Sequence, residues 1–208
     1  MKKSLNLLML FASLLLSPWV AADDAMPKLQ QLLSAFTSYS ANFQQQTYDE
    51  KGFALQQLQG RLTLEKPARF YWQSDEPYAQ QLVCDGTTIW HYDADLEQVV
   101  VQQYEEQARN APILVILKDV QSLKKSFAIT ASGDDGRELF TLTSLDTSTN
   151  ALQRVELGFR QQQLVSLTFI DTLGQKTEIA FSEIKINSPV DAALFTFTIP
   201  DGADVLHQ

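Results

Sequence analysis

From residue 41 onward the chain repeats one pattern: short runs of alternating apolar and polar side chains, separated by turn residues. A strand points successive side chains to opposite faces, so such runs fit a sheet with one buried face. After Ser40, Ala41, Phe43, Gln45 and Thr47 alternate with polar neighbours, and Asp49-Glu50-Lys51-Gly52 reads as a hairpin turn. Further strands are expected at Gln59–Leu64, at Arg69–Gln73 with Phe70 and Trp72 on one face and Tyr71 on the other, and at Gln80–Asp85. Asp85-Gly86 is a strong hairpin signal leading into Thr88–Tyr92. Asp93-Ala94-Asp95 then turns the chain into Glu97–Gln103. Ser126–Ala131, Glu138–Thr143, Leu152–Phe159, Leu164–Asp171 and Lys176–Ile186 complete the series. Ser132-Gly133-Asp134-Asp135-Gly136 and Leu173-Gly174 lie between some of them as turns. Before the sheet, Pro27 opens a helical pattern with Leu29, Leu32, Leu33 and Phe36 on one face. The expected class is mainly β (α+β): one helix followed by a long antiparallel sheet.

The 208 residues suit one domain with a real core. A net charge of −9 argues against nucleic acid as partner and against electrostatic docking on anionic lipid. The single cysteine, Cys84, forbids an intramolecular disulfide and a multi-cysteine zinc site, and reads as a buried small apolar residue.

The first residues read as a targeting segment. Lys2 and Lys3 precede a mostly apolar run, Leu5–Leu16, too short for a comfortable membrane span. Val20-Ala21-Ala22 places small residues where a signal peptidase reads them, so cleavage after Ala22 is expected. Residues 1–22 are then a signal peptide and 23–208 one domain, and removal of Lys2 and Lys3 takes the charge from −9 to −11. No cysteine follows the apolar run for lipid attachment, and no later stretch could span a membrane, so the product should be exported and soluble.

One segment interrupts the sheet. Tyr104–Arg109 is polar and helix-compatible, and Asn110-Ala111-Pro112 opens the apolar run Ile113–Lys118. That run could be a buried strand, a helix covering a groove, or both in different states. Between two strand series it is the best candidate for a lid. Catalytic signatures do not appear: there is no G-x-S-x-G, H-E-x-x-H, Walker loop or C-x-x-C. Asp93 and Asp95 read as a two-carboxylate turn, His91 as a surface or packed residue, and Glu105-Glu106 as a solvated turn. The 11 Phe, 6 Tyr and 2 Trp beyond residue 22 ordinarily mean core packing; a cavity lining would need further support.

Several segments, in order, resemble the outer-membrane lipoprotein carrier protein family, LolA. They are Ala41-Asn42-Phe43-Gln44-Gln45, the run Lys66-Pro67-Ala68-Arg69-Phe70-Tyr71-Trp72 with Glu76-Pro77, and Val83–Asp93 continuing to Glu97-Gln98-Val99. Asn110-Ala111-Pro112-Ile113-Leu114 and Val190–Val205 follow. The resemblance implies an open, incomplete antiparallel β-barrel whose N-terminal helix and short helical lid cover an apolar cavity for acyl chains. It implies a periplasmic, monomeric carrier without enzyme activity, cofactor or metal. Its partners would be acylated lipoproteins, an inner-membrane ABC-type lipoprotein-releasing transporter and an outer-membrane lipoprotein receptor. A lipid- or lipoprotein-sensing module of the same fold is the alternative. Family positions facing the cavity fall on Phe70 and Trp72, and those of the covering helix on Leu29, Leu33 and Phe36. Phe43, Leu62, Leu64, Ile113, Leu114, Ile116 and Leu117 complete the expected lining. A basic residue before the motif proline, usually Arg, ties the barrel to lid carbonyls in the family. Here it is Lys66, with partners expected around Ile116 and Leu117, although a solvated strand-end charge is an equal reading.

Overall fold

Each alternating run becomes a strand, and consecutive strands pair through tight turns. The computed structural model describes residues 25–75, 77–104, 114, 116–117, 120–134, 136–147 and 151–208. The expected signal peptide, residues 105–113 with Glu105, Glu106 and Ile113, and Asp135 lie outside these. Helix α1 spans Ala25–Ser34. The strands are β1 Ser38–Tyr48, β2 Ala54–Glu65, β3 Arg69–Ser74, β4 Gln80–Asp85, β5 Thr88–Asp93 and β6 Gln98–Gln103. A short helix α2, Val120–Leu123, precedes β7 Phe127–Asp134, β8 Arg137–Ser144, β9 Leu152–Arg160, β10 Gln163–Asp171 and β11 Lys176–Ile186. A 3-10 turn at Ala192–Phe195 leads to β12, Asp204–His207.

The twelve strands form one sheet in the order β12-β6-β5-β4-β3-β2-β1-β11-β10-β9-β8-β7. The end strands, β12 and β7, are not joined to each other, so the barrel is open. All pairings are antiparallel except β12 with β6. Register fixes one apolar face. Phe70 lies between Leu64 and Cys84, and Cys84 lies opposite Ile89. Phe43 lies between Phe181 and Gly60. Leu142 lies opposite Val155 and Ile129, and Phe140 lies opposite Leu157. All of these apolar side chains except the half-buried Ile129 are buried, and together they form the concave core.

The convex face carries a second, smaller core. Val83 and Val99 are buried there, in register with Tyr71, Trp90 and Tyr92. The C-terminal segment covers them: its 3-10 turn packs on β3 and β4, and Phe197 lies 6.3 Å from the Trp90 ring and 6.1 Å from that of Tyr92. The Arg69 guanidinium stacks over Phe195 at 5.2 Å.

Several boundaries differ from the sequence expectation. Phe36 was placed on the helix, but α1 ends at Ser34 and Phe36 is buried just beyond it. Strand β2 starts at Ala54 instead of Gln59, because the β1–β2 hairpin extends past the core, where an exposed Leu55 and glutamines give no alternation. Ser132, Gly133 and Asp134 belong to β7 and not to a turn, since their pairing with β8 continues as far as Asp134 opposite Arg137. The strand β12 and helix α2 had no local signal at all.

Gly60 is a constrained point in the sheet. A Cβ there would fall 1.9 Å from the Gln73 carbonyl oxygen and 2.9 Å from a Phe43 ring carbon. The missing side chain lets Phe43 lie across the strand and stack on Trp72, with ring centroids 3.7 Å apart. Gly60→Ala must move backbone or ring, and should cost about 1–3 kcal/mol, read as a Tm lower by roughly 3 °C per kcal/mol. An unchanged Tm would show that the sheet accommodates the methyl group.

Burial also pushes the Cys84 thiol from 9.0 up to about 11, with Asp85 adding to the rise and the Gly86 N–H opposing it. A pKa raised by folding means stability present below pH 9 and lost as pH climbs toward 11. The fall in unfolding free energy across that window should be smaller in Cys84→Ala by about 2–3 kcal/mol. Parallel curves for the two proteins would contradict it.

Candidate functional site

An apolar concave face on an unclosed sheet must be covered, and two segments cover it here. On α1 the spacing of Leu29, Leu32 and Leu33 turns one face down onto the sheet, and all three are buried. The second cover is the stretch around Leu114, Ile116 and Leu117, also buried, where Leu117 N–H donates to Leu114 O at 3.1 Å. That is a helical turn, so among the open readings of the apolar run these residues take the helical one.

Polar ties fasten α1 at both ends. A helix leaves its last carbonyls without intrahelical partners. Lys66 Nζ donates to Leu33 O, and its ammonium lies 4.2 Å from the centre of the Phe36 ring. Asn187 serves the residues that follow: Nδ2 donates to Ala35 O at 3.0 Å, and Oδ1 accepts from Thr37 N at 2.7 Å and Thr37 Oγ1 at 3.2 Å. Near the other end, Lys28 Nζ sits 2.9 Å from Glu138 Oε2. Glu138 is in phase with Phe140 and Leu142, so its carboxylate is on the concave side, partly exposed but with Oε2 itself buried.

Lys66 therefore acts on a different element from the one expected. Among the described residues its acceptor is Leu33 O in α1, and not a carbonyl around Ile116 or Leu117. The reason is geometric: the β2–β3 turn that carries Lys66 adjoins the end of α1, and Lys66 N–H also donates to Thr37 O at 2.9 Å. Nor is it a solvated strand-end charge. It is half-buried, and desolvation lowers its pKa from the ordinary lysine value.

Of the residues expected to line the interior, Leu29, Leu33, Phe36, Phe43, Leu62, Leu64, Phe70, Leu114, Ile116 and Leu117 fall in one buried cluster. Trp72 packs against it from a half-buried position. Tyr71 points to the convex side, where its hydroxyl donates to Gln73 Oε1 at 2.5 Å. Ile113 is outside the described residues.

Sequence reasoning missed the opposite wall. Phe140, Leu142, Val155, Leu157, Phe159, Leu164 and Leu167 close the cluster from β8, β9 and β10. Their alternation within each strand was legible, but nothing local tells which face curls inward. Tyr39 was also missed. It is fully buried, donates its hydroxyl to Leu164 O at 2.8 Å, and meets Phe181 edge-on at 5.8 Å. Its burial raises the phenol pKa. His91, read from sequence as a surface or packed residue, faces the concave side between Leu82 and Val100. Desolvation lowers its pKa, with Asp93 opposing, so the imidazole is neutral at pH 7.

The arrangement has the chemistry of a hydrocarbon-binding surface. Asp93 is occupied with its turn, accepting from Asp95 N and Leu96 N at 3.1 Å and from Gln80 Nε2 at 2.8 Å. Among the described residues no three His, Cys, Asp or Glu side chains gather as a metal site. No helix there is long and apolar enough to cross a membrane.

Comparison of the sequence with known proteins shows the family. The family described as outer membrane lipoprotein carrier protein LolA matches residues 34–198. The outer-membrane lipoprotein carrier protein of Chromohalobacter salexigens is 38% identical over 188 residues, covering 90% of this chain and 89% of its own length. Those of Pseudomonas fluorescens and Pseudomonas aeruginosa are 37% and 35% identical, each over 90% of this chain and 91% and 90% of their own lengths. A solved structure of a LolA superfamily protein from Nitrosomonas europaea aligns with a TM-score of 0.46 at 12% identity, covering 86% of this chain and 98% of that one. With the family matched over residues 34–198, and a relative 38% identical over 90% of this chain and 89% of its own length, the chain belongs to the outer-membrane lipoprotein carrier protein family, LolA.

Proposed function

We propose that this protein is a periplasmic carrier. It takes the acyl chains of lipoproteins released by an inner-membrane ABC-type transporter and delivers them to an outer-membrane receptor. Residues 1–22 direct export and are removed after Ala22. The observation that carries the reading is the concave apolar face, covered by a helix and a short helical turn instead of by closure of the sheet. The carrier names of the relatives support it.

Partition does the work, and no bond is made or broken. Each buried CH₂ is worth about 0.8 kcal/mol, so a sixteen-carbon chain amounts to roughly 12 kcal/mol and will not cross water unaided at a useful rate. A carrier must match that apolar environment and still let go. When empty, its own cover occupies the face. Acyl chains displace the cover, and the cost of opening subtracts from affinity. Leu29, Leu33, Phe36, Leu114, Ile116 and Leu117 supply the cover; Phe43, Leu62, Leu64, Phe70 and Trp72 supply the wall. Lys66 sets the cost of opening by holding Leu33 O.

Lys66→Leu removes the donor and should make the carrier hold cargo more tightly and pass it on about tenfold more slowly or worse, since hydrogen bonds to charged groups net about 1.5–3 kcal/mol. Lys66→Arg should keep most of the wild-type rate. The measurement is transfer of bound lipoprotein to the purified receptor; equal rates for wild type and Lys66→Leu would contradict the role. A second comparison tests the wall. Trp72 and Tyr71 are both half-buried but on opposite faces. Trp72→Glu should cut lipoprotein uptake by about tenfold or more while Tyr71→Glu leaves it near wild type, because a carboxylate in an apolar site costs several kcal/mol. Equal uptake by the two variants would contradict the assignment of faces.

A further inference from the structure

The two ends of the barrel differ in a way the acyl-binding face does not explain. At one end lie the connections β1–β2, β3–β4, β5–β6, β8–β9 and β10–β11. Of the nine large apolar side chains exposed among the described residues, six are here: Phe53, Leu55, Tyr78, Leu96, Leu145 and Leu173. The other three belong to the C-terminal segment. The described turns at the opposite end, Ala35–Thr37, Lys66–Ala68, Gly86-Thr87 and Gln161-Gln162, have none.

The two most central tips share one construction. In Asp49-Glu50-Lys51-Gly52-Phe53, Asp49 Oδ1 accepts from Lys51 N at 2.9 Å and Phe53 N at 2.8 Å, while Gly52 sits at φ +85°. In Asp171-Thr172-Leu173-Gly174-Gln175, Asp171 Oδ1 accepts from Leu173 N and Gln175 N, both at 2.9 Å, while Gly174 sits at φ +80°. β1 pairs with both β2 and β11, so these tips are neighbours, and a Cβ added at Gly174 would lie 3.1 Å from the Glu50 Cβ. Phe53 is 67% exposed and Leu173 73%. Each is held out from a turn that is already fixed, which lowers the ordering cost of binding through it.

The charge around the tips says what they meet. Among the described residues of these connections, Asp49, Glu50, Asp75, Asp95, Glu97 and Asp146 stand against a single cation, Lys51. Anionic lipid headgroups are repelled by such a collar, and a second copy docked tip to tip would set carboxylates against carboxylates. We propose that this rim is a docking surface for a protein partner that presents basic side chains around an apolar recess, with Phe53 and Leu173 as the inserted anchors. The proposal rests on the carrier reading and names the surface by which the carrier meets a protein that loads or unloads it.

The test uses the full processed protein and a Phe53→Ser/Leu173→Ser double variant. Both positions are exposed, so the variant should unfold at close to the wild-type temperature. The probes are the purified inner-membrane lipoprotein-releasing transporter in detergent, the soluble part of the outer-membrane receptor, and vesicles of phosphatidylethanolamine with phosphatidylglycerol. The expected result is about tenfold or greater loss of affinity for one of the two proteins, with lipoprotein retention by an already loaded carrier unchanged. Wild-type affinity for that same protein should also fall as salt rises from about 50 mM to about 500 mM. Equal affinity of wild type and variant for both proteins, binding to the vesicles through Phe53 and Leu173, or a dimer lost in the variant would each overturn the docking proposal and leave the carrier reading standing. Failure of wild type to bind either protein overturns both.

Discussion

A sheet that curls but does not close has an inside face and no means of its own to keep water from it. That constraint governs the rest of this molecule. The concave side of the twelve strands is lined by Phe, Leu, Ile and Val, and the gap between β12 and β7 is not bridged by backbone hydrogen bonds. Something apolar must lie over the face at all times. In this structure it is α1 and the turn formed by Leu114, Ile116 and Leu117; on the proposed carrier reading, hydrocarbon takes their place when cargo is bound. On that reading the two compete for one surface, and binding and release are opposite directions of a single exchange.

The exchange works only if the cover is held neither too firmly nor too loosely. Packing of Leu29, Leu33 and Phe36 is non-directional and can be matched by acyl chains. The polar ties cannot: Lys66 to Leu33 O, Asn187 to Ala35 O, and Lys28 to Glu138 favour the closed arrangement specifically. They lie at the two ends of α1; its middle is fastened by apolar contact and by one exposed side-chain bond, Gln121 Nε2 donating to Gln30 Oε1 at 3.4 Å. The convex core of Val83, Val99 and Phe195 sits on the other side of β3–β6 and gives those strands a buried face that does not depend on the cover. On the proposed carrier reading, that support remains when the concave side opens.

Much of this was legible in the residues. Hairpins announced by Asp49–Gly52 and Asp85-Gly86 formed as expected, because turn chemistry and strand alternation are local signals. Residue pairs such as Phe70 and Trp72 against Tyr71 sorted to the expected faces for the same reason. What failed was non-local. Strand β12 pairs in parallel with β6 across about a hundred residues of chain, and nothing in Asp204–His207 marks a strand edge waiting for it. Lys66 could be read as a latch, through family resemblance, or as a solvated strand-end charge; among the described residues its acceptor lies in α1, because the chain path of the β2–β3 turn decides which carbonyl is in reach. Phe140, Leu142 and Leu157 were visible as strand residues, but their place in the wall depends on the direction in which the sheet curls.

The central claim is that acyl chains occupy the same concave face that the cover occupies when the carrier is empty. It is tested most directly by loading the carrier with a lipoprotein whose acyl chains bear a photoreactive diazirine, irradiating, and locating the crosslinked residues by mass spectrometry. The account predicts adducts on concave residues such as Leu62, Phe70, Phe140 and Leu157, and on the inner faces of α1 and Leu114–Leu117. Adducts confined to the convex core at Val83, Phe195 and Phe197, or to the hairpin tips at Phe53 and Leu173, would contradict it.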